Sequence, residues 1–370
     1  MNRTLSRRGL LKAGGLAASL LVLDKVVPGG LPGTDGGAKP AQAAGARPIS
    51  FSSIPLSSED KVSVAGGHQS QVLIRWGEPL FPNVSGITPD IGGLNQTADL
   101  QAQRFGYNCD FLAYMPLPRG SKTSDHGLLW VNHEYTNEAI MFPSYSGSRP
   151  DQSQVDVALA AHGGSVVEIQ RDGSGQWSYN QESTYNRRIT GETVMDITGP
   201  AAGHDWLKTS ADTTGSKVRG MLNNCGGGKT PWGTVLTAEE NFNQYFGNLG
   251  GLSSSDPKRA VHQRFGIGTG ASERGWEKVH SRFDATKEPN EAFRYGWIVE
   301  IDPYDPNFVP KKRTALGRVK HEAANTALAK DGRVVAYTGD DERFEYMYKF
   351  VTTGKYDASN RSANLRLLDR

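Results

Sequence analysis

Asn223-Asn224-Cys225-Gly226-Gly227-Gly228-Lys229-Thr230-Pro231-Trp232-Gly233-Thr234-Val235-Leu236-Thr237-Ala238-Glu239-Glu240-Asn241-Phe242 places a thiol, a triple glycine, a lysine and paired carboxylates in one element. The glycines allow positive φ and leave room for close approach of a ligand or another strand. Pro231 and Gly233 mark a turn. Thr234 to Thr237 then reads as a short buried strand that delivers Glu239 and Glu240 at its far end. A thiolate and carboxylates can share a metal, so the stretch raises the question of where its partners lie.

Two further runs share its shape. Gly127 opens an apolar run that ends in Asn132-His133-Glu134, and Gly332 opens one that ends in Gly339-Asp340-Asp341. The three copies lie about a hundred residues apart, longer than the common propeller repeat. Between them come amphipathic partner strands at Gly164–Ile169, Tyr295–Asp302 and Phe344–Val351, the last alternating aromatic with polar residues. Inner strands ending in acid and paired with outer strands predict an all-β chain, a β-propeller with long insertions. An ordinary antiparallel sandwich with solvated acidic loops is the plainer alternative. Gln71–Gly77 reads as another strand, and Phe105–Met115 leads into one more. Pro306–Arg313 reads as a polar connector and Trp276–Phe293 as a stretch holding a helix. Leu365–Arg370 stops without a closing strand, so the chain looks cut short.

Composition narrows the class. Mean hydropathy is −0.51, hydrophobic residues are 37%, and 44 glycines with 19 prolines indicate many turns. Residues 1–43 read as a twin-arginine leader: Ser6-Arg7-Arg8-Gly9-Leu10-Leu11-Lys12, a short apolar run to Leu23, and a small-x-small cleavage site at Ala41-Gln42-Ala43. The apolar run is too short to span a bilayer. The expected address is therefore periplasmic or secreted, reached through the twin-arginine machinery. Removing 1–43 takes six basic and two acidic residues and leaves a formal charge of −2. The remaining Lys and Arg are scattered rather than striped, which argues against nucleic acid. Residues 44–70 read as an extended entry segment and 71–370 as the folded domain.

The acidic tips gather Glu134, Glu239, Glu240, Asp340 and Asp341, with Glu322 of Lys320-His321-Glu322 added. Clustered carboxylates raise one another's pKa unless a cation neutralises them. Oxygen ligands suit Ca²⁺, whereas a thiolate points to a transition metal such as iron. Cys109 and Cys225 leave two readings open: one disulfide, or a metal-bound Cys225. His133 and His321 each precede a glutamate, but no His-Glu-x-x-His follows, so a zinc protease is disfavoured. Lys229, Arg318, Lys320 and Arg343 are cations beside acids, able to orient a phosphate or simply to pair on the surface. Gly226–Thr230 lacks the G-x-x-x-x-G-K-[ST] spacing and precedes a strand, which excludes a nucleoside-triphosphate loop, and no G-x-S-x-G elbow is present.

Taken together, the leader, Phe105–Asn108, Asn132–Thr136, Asn223–Asn241, Lys320–Asn325 and Gly339–Asp341 with Glu345–Val351 resemble the PhoX family of calcium-dependent alkaline phosphatases. The resemblance implies a monomeric, exported β-propeller acting on phosphate monoesters at alkaline pH. It also implies a cofactor of two ferric and three calcium ions with a bridging oxo group. Carried across, Cys225 stands for the iron thiolate ligand and Glu322 for a glutamate ligand, the pair assigned to catalysis. Glu134, Glu240, Asp340 and Asp341 stand on the calcium side; the residue reading adds Glu239 to the metal set and assigns Lys229 and Arg343 to substrate. A further glutamate ligand and a phosphate-gripping arginine, found later in longer family members, have no match here. Two alternatives keep the propeller: a calcium-stabilised binding module without catalysis, and a calcium-dependent lactonase or esterase, which would have no use for an iron thiolate.

Overall fold

Three sheets, met in chain order, carry the architecture of the computed structural model, which describes residues 52–87, 96–147 and 149–370. The leader assigned to 1–43 lies outside the described residues. Contacts divide the chain into two units at Ser70/Gln71. Within the first, residues 52–70 form turns and extended chain without a helix or strand. All the sheets belong to the second.

The first sheet holds β1 (Cys109–Pro116), β2 (His126–His133), β3 (Gly163–Arg171), β4 (Trp177–Tyr179) and β5 (Arg187–Ile189), in the order β1-β2-β3-β4 with β5 also on β3. The second holds β6 (Val194–Thr198), β7 (Lys217–Arg219), β8 (Asn224–Lys229), β9 (Val235–Glu239), β10 (Ile298–Ile301) and β11 (Lys311–Arg313), ordered β7-β6-β11-β10-β9-β8. The third is β12 (Asn325–Leu328), β13 (Arg333–Gly339) and β14 (Met347–Lys355) in sequence. The fold is all-β as expected, with few helices. No helix among the described residues is long and apolar enough to cross a membrane.

The three glycine-led apolar runs are β2, β9 and β13, and each pairs antiparallel with its expected partner: β3, β10 and β14. Their apolar character follows from position. All five residues of β9 are buried, because the strand has sheet neighbours on both sides and a core on each face. Val235 belongs to the large core with Trp130, Met195 and Phe242, while Leu236 and Ala238 belong to a second one with Trp232, Ile298 and Val334. Alternation of side chains along a strand puts sequence neighbours into different cores.

Other expectations give way. Gln71–Gly77 is not a strand: its chain turns at Gly77 (φ +81°), whose N–H bonds Phe105 instead of a sheet edge. The triple glycine forms the body of β8. The supposed connector ends in β11, and Trp276–Phe293 holds three single 3₁₀ turns in place of a helix. Among the described residues, the two helices longer than a single turn lacked a clear signal: α1 (Gln152–Ala161), capped by Asp151, and α2 (Pro257–Arg264), capped by Asp256.

Each sheet turns one edge strand toward the other two sheets. β1, β8 and β12 are the edge strands, and β8 packs against both of the others. Glycine makes that approach feasible. A Cβ on Gly226 would stand 1.9 Å from the Glu322 carbonyl oxygen, and one on Gly228 would stand 2.0 Å from that of Ala324. On the other side, a Cβ on Gly227 would meet the Phe111 ring of β1 at 2.5 Å.

Candidate metal centre

Each edge hairpin presents a pair of ionisable side chains. The first sheet offers Asp110 at the start of β1 and Glu134 just past β2. The second offers Cys225 on β8 and Glu240 just past β9. The third offers Glu322 ahead of β12 and Asp341 just past β13. Antiparallel pairing is the cause, since the start of one strand lies beside the end of the next.

The backbone repeats its construction. Asn108 and Asn223 both adopt positive φ, at 50° and 54°, a conformation asparagine tolerates better than most residues. The Asn108 carbonyl accepts the Glu134 N–H at 3.1 Å, and the Asn223 carbonyl accepts the Glu240 N–H at 3.0 Å. Two residues after each asparagine comes a donor, Asp110 and Cys225. Both sit in register shifts, one between Cys109 and Leu112 and one between Asn224 and Gly227. A bulge re-aims a side chain out of the ladder, which is the use made of it in both places. The third pair is tied differently: the Glu322 N–H bonds the Gly339 carbonyl at 3.1 Å and the Asp341 N–H bonds that of Lys320 at 2.9 Å.

At the centre, Cys225 Sγ and carboxylate oxygens of Glu240 and Glu322 lie within 4.8 Å of one another. Cys225 and Glu240 are buried and Glu322 is exposed. The thiol is 3.3 Å from both the His321 and Glu322 carbonyl oxygens. Asn132 anchors the strand beneath it, donating from Nδ2 to the carbonyls of Cys225 at 2.6 Å and Gly226 at 3.0 Å. Its own Oδ1 accepts from Trp130 and Thr237, so the anchor is fully engaged. Cys225 and Cys109 are both free thiols, so the disulfide reading is not realised.

Charge crowding is written into the acidities. Burial, followed by Asp110 and Glu240, raises Glu134 to about 7. Burial, opposed by a hydrogen bond from Asn241 and reinforced by Glu322 and Asp341, raises Glu240 to about 7 as well. Glu322 is raised by burial, Asp341 and Asp110. Burial beside Glu240 and Glu322 pushes the Cys225 thiol far up. Such a group of acids holds protons near neutrality unless cations replace them.

The sequence-assigned residues separate into those inside this group and those outside it. Glu134, Cys225, Glu240, Glu322 and Asp341 share its field. Glu239 is set apart by its partners: one place before Glu240 on the strand, it is fully buried and its carboxylate is taken up by other groups. Its carboxylate receives Lys312 Nζ at 2.8 Å and the N–H groups of Leu222, Gly296 and Trp297. Asp340 is held in the β13–β14 hairpin, accepting the Lys320 N–H on Oδ1, with Arg264 4.0 Å from Oδ2. Lys229 sits exposed at the far end of β8, about 13 Å along the strand from Cys225 at roughly 3.3 Å per residue. Arg343 is exposed in the hairpin loop two residues from Asp341. His133 and His321 are buried and bonded, to Ser165 and the Gly106 N–H in one case, to Thr338 and the Gly317 carbonyl in the other. Asp110 is the residue sequence reading missed. Its signal was available: like Cys225, it stands two places after an asparagine that precedes a strand.

Soft sulfur and hard oxygen converging from three sheets make a donor set that could hold metal ions, in a protein of the all-β class. The family follows from comparison. The model of the alkaline phosphatase PhoX family matches residues 49–370, and the chain belongs to that family. Among solved structures it is similar to Pseudomonas fluorescens PhoX in complex with vanadate, a transition-state analogue, at 46% identity and a TM-score of 0.80. The match covers 86% of this chain and 53% of that one, so this chain spans about half the length of that protein. None of the curated proteins matches.

Proposed function

We propose that the chain carries the larger share of an iron- and calcium-dependent alkaline phosphatase centre acting on phosphate monoesters. The observation that carries this reading is the 4.8 Å grouping of Cys225, Glu240 and Glu322 in a PhoX-family chain. The donors fit the family's mixed cluster: a thiolate for the transition metal, carboxylates for calcium. Cys225, Glu240 and Glu322 hold the ions together, with Asp110, Glu134 and Asp341 around them on the calcium side. Bound there, such ions supply positive charge to the oxygens of a phosphoryl group as charge builds on them during transfer.

The protein's own part is to keep six donors in place and in the right charge state. Asn132 fixes the backbone of Cys225, and the asparagine-led bulges aim Asp110 and Cys225 inward. Glu134 and Glu240, protonated in part at neutral pH without cations, give up those protons as pH rises, which favours loading in alkaline medium. Three sheets turning their edge strands to one group are what propeller blades do around a channel, and this supports the propeller expectation. Export through the twin-arginine route rests on Ser6-Arg7-Arg8 and the small-x-small site.

Metal analysis and p-nitrophenyl phosphate hydrolysis test the reading together. Wild-type chain, loaded with iron and calcium, is expected to bind both and to release p-nitrophenol. Cys225→Ala is expected to lose iron together with most of the activity. Full iron and undiminished turnover in that variant would remove the thiolate from the centre.

A further inference from the structure

Next to Glu134 opens a cavity of about 670 Å³ that none of the metal-site argument uses. Its size falls in the range of small-molecule sites, ample for a sugar-sized group. Glu134 stands on its wall, and Asn241, the neighbour of Glu240, lines it as well, so the cavity borders the acid group where a phosphate would be held. We propose that it receives the alcohol half of a phosphate monoester, and that it favours neutral, hydroxyl-bearing alcohols over acidic ones. The proposal rests on the hydrolase reading above and names its substrate class.

The lining carries the preference. Tyr135 and Tyr145 line it with aromatic rings, the first already under Arg274, and Asn241 and Gln244 line it with amides; Asn241 also bonds Glu240, and Gln244 Oε1 accepts from Arg274 at 3.5 Å, which leaves the Gln244 NH₂ to donate. Rings for C–H faces and amides for hydroxyls suit a polyol or a sugar. Charge sets the exclusion. Glu134, Glu138 and Glu273 all line the cavity, and Arg274 is the one cation among the described lining residues. Arg274 is already committed: Nη1 donates to the Thr136 carbonyl at 2.5 Å and lies 3.3 Å from Glu138, and the guanidinium stacks over Tyr135 and Tyr245. A carboxylate entering here meets Glu273 with no free counter-charge. Cations on the metal centre neutralise Glu134 but leave Glu273 as it is.

Glycerol 3-phosphate and 3-phosphoglycerate form a matched pair, alike in size and differing by one carboxylate. Wild type is expected to favour the first by about tenfold in kcat/KM, the scale of one like-charge contact near a protein surface. Glu273→Lys, on an exposed side chain, is expected to bring the two within about threefold, through a rise in kcat/KM for 3-phosphoglycerate. Equal use of both esters by wild type, or a ratio that Glu273→Lys leaves unmoved, overturns the proposal. A second measurement needs no turnover. In saturation-transfer NMR the ring protons of methyl α-glucoside are expected to respond, those of glucuronate are not, and Gln244→Ala is expected to weaken the response. No glucoside signal, or an equal glucuronate signal, overturns the assignment. A chain that gives the glucoside signal yet hydrolyses no ester sustains the cavity and defeats the hydrolase reading instead.

Discussion

Glu239 and Glu240 are adjacent, chemically identical and opposite in role. Strand geometry sends Glu239 into the sheet, where Lys312 and three backbone N–H groups neutralise it. The strand's end releases Glu240 toward Cys225 and Glu322. Their alanine variants are expected to differ in kind. Glu239→Ala leaves Lys312 buried and unpaired, a loss of roughly 3–5 kcal/mol in denaturant unfolding, with metal per folded molecule unchanged. Glu240→Ala removes a donor and one source of repulsion, so metal content falls while the stripped protein unfolds no more easily. If Glu239→Ala loses metal in proportion to Glu240→Ala, both belong to the centre and the distinction drawn here fails. Nothing in the string Glu-Glu separates the two, because the assignment depends on which face of β9 meets the second core.

At the scale of elements, β8 is the piece on which the centre depends. Its glycines are poor strand formers, which is why a propensity reading makes them a loop. The strand exists because neighbours on both sides, Phe111 and the chain from Glu322 to Asn325, leave no room for a side chain. Gly226→Ala therefore has to push the Glu322 carbonyl away, moving Glu322 and Cys225 apart. The expected cost is about 1–3 kcal/mol at the urea midpoint, accompanied by loss of iron binding. Unchanged iron affinity would mean that β8 and the Glu322 segment are not coupled as described. The second strand of each hairpin was legible, since β2, β9 and β13 are apolar runs after a glycine. Of the first strands, β1 was legible at the end of Phe105–Met115, whereas β8 and β12 were not: glycine hides the burial of β8, and β12 is largely exposed, so neither carries an apolar pattern.

Across the whole molecule, two sets of buried groups pull pH stability in opposite directions. Glu134 and Glu240 are raised to about 7 when folded, against ordinary values near 4.5. Between those values the metal-free folded state holds protons that the unfolded chain has released, so its stability falls as pH rises. Bound cations replace the protons. The melting temperature of loaded protein minus that of stripped protein is thus expected to widen from about pH 5.5 to about pH 8; a constant gap would place the acids away from the ions. His162 is lowered to about 3 by burial, and His262 and His321 to about 4. For these the unfolded chain takes up protons first, so stability is lost as pH falls below about 6.5. Loaded and stripped protein share that loss, so it cancels in the gap and shows as acid unfolding in both. Sequence alone determined the all-β character, the three acid-tipped strands and the chemical mix of one sulfur with many carboxylates, since hydrophobic period and side-chain type are local properties. Tertiary structure alone decided that Asp110 joins the field of Glu134 and Glu322, that Glu239 is paired with Lys312, and that Lys229 sits at the far end of β8. Convergence of strand edges from three sheets is set by bulges, glycine contacts and facing cores, and those are relations between residues far apart in the chain.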